Sequence, residues 1–127
     1  MSLDSNPLDN IEKEVENHQN QIDMQLEMTK RIAQLIPEYG GDVKESRLIE
    51  FFFYADNEKD AKALAEQLKI NYKGKNIEVY PFRNQFSITG QTDKKYIKSQ
   101  DFAKWITQMN ELAFSLDCEF DGWGSPV

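Results

Sequence analysis

Residues 47–70 read RLIEFFFYADNEKDAKALAEQLKI. The first nine, 47–55, are the most apolar run of the chain and are dense in β-formers, so they predict a central strand. Asp56 or Asn57 then offers a side-chain oxygen to the free amides of a helix start. From residue 58 the apolar period changes from two to about 3.6, with Ala61, Leu64, Ala65 and Leu68 on one face, which predicts a helix over 58–70. A strand leading directly into a helix is half of a βαβ unit.

Working outward toward the C-terminus, NYKGKN (71–76) reads as a loop. IEVYPF (77–82) and FSITG (86–90) read as two strands joined by Arg83, Asn84 and Gln85. Residues 91–98 read as a Lys-rich loop. Ser99 caps a second helix over 100–116, with Phe102, Trp105, Ile106, Met109, Leu112 and Ala113 at core spacing. CEF (118–120) forms a last strand running into DGWG. The order βαββαβ predicts an α+β fold, the ferredoxin-like antiparallel sandwich, with strand four beside one, then three, then two. Pro81 suits the edge position of the second strand, since proline cannot donate to a ladder on both sides.

Toward the N-terminus, residues 9–36 contain neither Gly nor Pro and predict one long helix of ~40 Å. Ile11, Val15, His18, Ile22 and Leu26 form an apolar stripe, extended by Ile32, Ala33 and Ile36; Met24, Met28 and Leu35 form a weaker second line. Pro37, Gly40 and Gly41 end the helix in a turn or hinge. The chain thus divides into an amphipathic helix and hinge, 1–40, and a ferredoxin-like domain, 41–127.

Strand alternation places Ile49, Phe51, Phe53, Ile77, Val79, Phe86, Ile88, Cys118 and Phe120 toward the two helices. The opposite face then presents Phe52, Tyr54, Tyr80 and Phe82 among Glu50, Glu78, Ser87, Thr89, Asp117, Glu119 and Asp121. Four rings on one face make an unusual surface for a monomer. The long helix, a second copy of the chain or a partner is expected to cover it, and to bury the stripe of the long helix as well. An aromatic sheet face on this topology suits base stacking, but the carboxylates around it oppose nucleic acid.

The 127 residues carry 15 Lys and Arg against 22 Asp and Glu, a formal net charge of −7, and 12% are aromatic. That balance disfavours nucleic acid and anionic membranes as partners. One Cys, Cys118, and one His, His18, exclude a disulfide framework and weigh against a His-based metal site or triad. Asp117, Glu119 and Asp121 share a strand face, but no further oxygen ligands converge by spacing, so no metal and no cofactor is expected. There is no apolar run of membrane-spanning length, and MSLDSNPLDN has no secretory pattern. With no phosphate loop or nucleophile motif, the expectation is a non-enzyme. Lys69, Lys73, Lys75, Lys94, Lys95 and Lys98 are expected at the same end of the sheet as DGWG.

DCEFDGWG (117–124) resembles the closing motif of the regulator of ribonuclease E activity B family, whose last strand ends in a (Tyr/Phe)-Asp-Gly-Trp pattern, here Phe120, Asp121, Gly122 and Trp123. FFFYADNEKDAKALAEQLK (51–69) and FSITGQT (86–92) resemble that family's strand–helix unit and third strand. The resemblance covers 47–124. It implies a bacterial, cytoplasmic, non-catalytic protein that restrains a ribonuclease by protein–protein contact; from the acidic charge balance, no direct nucleic-acid or membrane binding is expected. The candidate contact residues are Asp121, Gly122, Trp123, Gly124, Lys94, Lys95 and Lys98, with Trp123 as anchor, and the sheet-face patch Phe52, Tyr54, Tyr80, Phe82 and Glu119. DGWG can equally serve as structural closure of the sheet. The alternative function is a homodimerisation module built on residues 9–36.

Overall fold

The computed structural model describes residues 7–35, 47–97 and 99–125. The hinge expected at Pro37, Gly40 and Gly41, and Lys98, lie outside the described residues. A long helix α1 (Pro7–Leu35) precedes β1 (Arg47–Ala55), α2 (Glu58–Asn71), β2 (Lys75–Phe82), β3 (Gln85–Lys95), α3 (Gln100–Ser115) and β4 (Cys118–Gly124). The four strands form one antiparallel sheet in the order β2-β3-β1-β4.

Both inner helices begin where capping chemistry starts them. Asn57 accepts from the amide of Asp60 at 2.8 Å, and Ser99 from that of Phe102 at 3.1 Å. Their apolar faces close on one side of the sheet, where Phe51, Phe53, Phe120 and Phe102 are fully buried together with Leu64, Leu68, Ile88, Ile106 and Met109. The rings interlock: Phe53 lies 4.8 Å from Phe120 and Trp105 stands edge-on to Phe120 at 5.9 Å. Gly90 makes room for this packing, because a Cβ there would sit 2.6 Å from the Phe51 ring.

Three strands run further than expected, β2 by starting at Lys75. Residues 91–95 of the Lys-rich segment are the second half of β3 and not a loop: Ile49 pairs with Thr92 and Arg47 with Lys95, so the ladder to β1 continues past Gly90. Gln85 likewise belongs to β3 and pairs with Phe82, leaving a two-residue turn at Arg83 and Asn84, with Arg83 in the left-handed region (φ 59°).

β4 does not stop at Phe120. Phe53 pairs with Phe120 and the next residue, Phe52, pairs with Gly122, so Asp121 is the extra residue of a β-bulge. Gly122 has φ +132°, a conformation that side-chain-bearing residues rarely adopt. The bulge shifts the alternation by one, pairing Trp123 with inward-facing Phe51. DGWG is therefore strand, and its tryptophan is turned to the helix side.

Within the chain the stripe of α1 is buried only in part. Ile22, Thr29 and Ala33 are buried and Leu26 packs against the core, but Ile11 and Val15 are each 55% exposed. The second half of the helix lies against α3 and along the free edge of β4, where the side-chain amides of Gln21 and Gln25 both donate to the Phe120 carbonyl, at 2.8 and 2.7 Å. These two amides satisfy an edge-strand acceptor. The helix borders the aromatic sheet face and does not cover it.

Candidate protein-contact face

The face opposite α2 and α3 is assembled by cross-strand register. Tyr80 pairs with Ser87, Ser87 with Tyr54, and Tyr54 with Glu119, forming one row across all four strands. The next row runs Glu78, Thr89, Phe52, Gly122. Ser87 is buried although it lies on this face, consistent with the tyrosines of its two neighbouring strands shielding it. Tyr80 and Phe82 are 40% and 43% exposed, and Phe52 and Tyr54 half-buried. Tyr54 and Phe82 approach to 6.3 Å between ring centroids, and the Arg83 guanidinium lies 5.2 Å from the Phe82 ring centre. The structure thus brings the expected patch together.

On the β4 side the patch meets α1. A cleft of about 230 Å³ between helix and sheet is lined by Gln25, Met28, Ile32, Phe52, Asp121 and Trp123, among others. Met24, Met28 and Ile32 stand exposed along this border and give the face an apolar wall. The sequence reading has Met24 and Met28 as a weak second line with no role; their four-residue spacing is the signal that places them on one side of the helix.

Trp123 is half-buried and committed within the chain. Its ring stands edge-on to Phe102 at 4.9 Å, and its indole N–H donates to Thr29 Oγ1 at 2.8 Å. The Thr29 hydroxyl donates in turn to the Gln25 carbonyl, and the Gln25 side-chain oxygen accepts from buried Asn110 at 2.7 Å. This network ties β4, α1 and α3 together. Sequence reasoning missed Gln21, Gln25, Thr29 and Asn110, because polar residues on amphipathic helices read as solvent-facing.

Of the other candidates, Gly122 lies in the Phe52 row and Gly124 borders the Phe52 ring, whereas Lys94 and Lys95 lie beyond it. The pairings Arg47–Lys95, Lys75–Gln91 and Glu50–Gly124 place Lys75, Lys94, Lys95 and the end of DGWG at one end of the sheet. Lys94 is exposed there. Lys95 folds back, with Nζ 3.5 Å from Asp93 and 5.7 Å from the Trp105 ring centre. Burial alone pushes the Asp93 carboxyl up, but the Thr92 hydroxyl, Lys95 and Lys73 outweigh it and hold Asp93 below its ordinary range. Asp121 shows the opposite, raised by loss of solvation at the bulge. Burial, with the carboxylates of Asp60, Asp117 and Asp56 nearby, pushes the Cys118 thiol up to about 11.

His18 stacks on Phe114 at 4.3 Å, filling a helix–helix contact. Asp117 sits in a turn at φ 57° and Asp121 on the bulge, so the regular acidic row expected on β4 is broken at both ends. Among the described residues no helix is long and apolar enough to cross a membrane.

The distinctive surface of this α+β protein is a ring-bearing, acid-edged sheet face. The family described as Regulator of ribonuclease activity B matches residues 26–125, and the chain belongs to that family. The match reaches back into α1, to the half of the helix that packs against the sheet, beyond the 47–124 stretch of the sequence resemblance. It links the chain to regulation of ribonuclease activity. Comparison with curated proteins finds no match.

Proposed function

We propose that this chain is a non-catalytic cytoplasmic regulator that lowers ribonuclease E activity by protein–protein contact. The observation that carries the reading is the open aromatic face bordered by carboxylates, on a chain whose family regulates ribonuclease activity. Such a face offers ring area to a protein partner while its charge repels the RNA substrate. The βαββαβ order and the strand order β2-β3-β1-β4 support describing the domain as ferredoxin-like. The test is cleavage of a fluorescent RNA by purified ribonuclease E with increasing amounts of the full chain. A saturable fall in rate, with RNA left intact by the chain alone, supports the reading; an unchanged rate, or cleavage by the chain, overturns it.

A second reading rests on Ile11 and Val15, exposed on the half of α1 that extends past the core. These side chains suit a helix–helix contact with a second copy. Light scattering of the full chain against Ile11→Ser/Val15→Ser separates the cases: a dimer that the double substitution dissolves supports self-association through α1.

A further inference from the structure

The open sheet face has a regularity beyond being aromatic and acidic: three of its rings have a carboxylate as an immediate neighbour. Phe52 has Glu50 two residues away on the same strand and face, Tyr80 has Glu78 in the same relation, and Tyr54 is paired across strands with Glu119. A ring beside a carboxylate is suited to one cation in particular. A guanidinium can lie flat over the ring and direct its in-plane N–H groups to the acid, whereas an ammonium is a compact, strongly hydrated point charge. The chain contains an instance of the stacking half on this same face, Arg83 over Phe82 at 5.2 Å.

Resting on the reading of this chain as a contact regulator, we infer that the sheet face receives an arginine-bearing extended segment of the partner protein, flanked on the β4 side by Met24, Met28 and Ile32 of α1. Charge complementarity selects this occupant. Glu50, Glu78 and Glu119 repel a nucleic-acid strand. They also oppose a second copy, whose matching face would bring the same carboxylates together on a chain of net charge −7. A segment with arginines at alternate positions matches the two-residue spacing of strand side chains on one face.

The test uses the full chain and three fluorescent twelve-residue peptides in which Ser alternates with Arg, Lys or citrulline. The Arg peptide should bind, the Lys peptide about five-fold more weakly and the citrulline peptide not measurably. Glu50→Gln/Glu78→Gln/Glu119→Gln should weaken the Arg peptide about ten-fold and flatten its salt dependence. Tyr80→Ser/Phe82→Ser, at two exposed positions, should weaken it about five-fold with the salt dependence retained. Equal Arg and Lys affinity untouched by either variant overturns the inference. So does tighter binding of a twelve-nucleotide single-stranded RNA at this face, or a homodimer that Tyr80→Ser/Phe82→Ser dissolves. Capture of ribonuclease E equally by wild type and both variants overturns this surface while leaving contact regulation standing. Arg-peptide binding at the face without capture of ribonuclease E upholds the surface and overturns the ribonuclease target.

Discussion

The indole N–H of Trp123 donates to Thr29 Oγ1 at 2.8 Å across 94 residues of sequence, joining the bulged end of β4 to the C-terminal half of α1. Phe102 of α3 packs on the same indole, so one side chain fastens three elements. The DGW motif works through this contact. Gly122 takes the positive φ, Asp121 is the inserted residue, and Trp123 swings inward as a result.

Removing the fastener should loosen α1 more than the sheet. Trp123→Ala is expected to cost about 2–4 kcal/mol, the lower part of the range for large-to-small core changes because the ring is only half-buried. Trp123→Phe keeps most of the packing and loses the hydrogen bond, for about 1 kcal/mol. Urea unfolding monitored by far-UV circular dichroism gives both values. Proteolysis within 7–35 should accelerate in the alanine variant.

The two glycines of the sheet should fail by different mechanisms. Gly90→Ala pushes a methyl group into the Phe51 ring and should cost about 1–3 kcal/mol through overpacking. Gly122→Ala meets no neighbour within 4 Å, so its cost, about 1–3 kcal/mol, is backbone strain alone. Substituting Phe51→Leu should rescue part of the first and none of the second, as read by thermal unfolding of the single and double variants.

Much of this architecture is legible in the sequence, because β1 and α2 change period within one continuous stretch and Asn57 and Ser99 mark their helix starts. The inward set Phe51, Phe53, Ile88 and Phe120 follows from alternation alone. What alternation cannot supply is the bulge. It moves Trp123 across the sheet and carries β4 four residues past the expected CEF strand. Nor does a helical stripe show where its partner ends, so Ile11 and Val15 read the same as Ile22. The aromatic patch is legible from strand faces, whereas its border of α1 residues depends on tertiary placement. The Gln25–Thr29–Asn110 network escapes because amides and hydroxyls on a helix signal solvent until a partner is seen.

Two carboxylates should give pH dependences of opposite sign. Asp93 is held below its ordinary range, so it contributes stability above its unfolded pKa that is lost as pH falls through its folded value. Asp93→Asn should therefore lower the melting temperature at pH 7 and match wild type at strongly acidic pH. Asp121 is raised by desolvation, so its ionised form opposes folding at neutral pH and is relieved as pH falls through its folded value. Asp121→Asn should raise the melting temperature at pH 7, and that gain should vanish in acid. Melting curves from pH 3 to 8 check both signs.

Cys118, with its thiol pushed up to about 11, should be a poor nucleophile. At pH 8 its thiolate population is about a hundredfold below that of an ordinary cysteine, partly offset by the greater reactivity of a more basic thiolate. Reaction with Ellman's reagent should be about ten-fold slower than for the same chain in denaturant, before any effect of access. Asp60→Asn should accelerate it, since the Asp60 carboxylate is one of the charges raising the thiol.

If this protein works through its open sheet face, carboxyl labelling of the chain with and without purified ribonuclease E should show protection there. Glu50, Glu78 and Glu119 mark that face, while exposed Glu66 on α2 and Glu111 on α3 lie on the helix side. Ribonuclease E should lower carbodiimide labelling of the first three and leave the last two unchanged. Protection of Glu66 or Glu111 with the sheet-face glutamates still fully labelled, or no protection anywhere, would contradict contact through the open face.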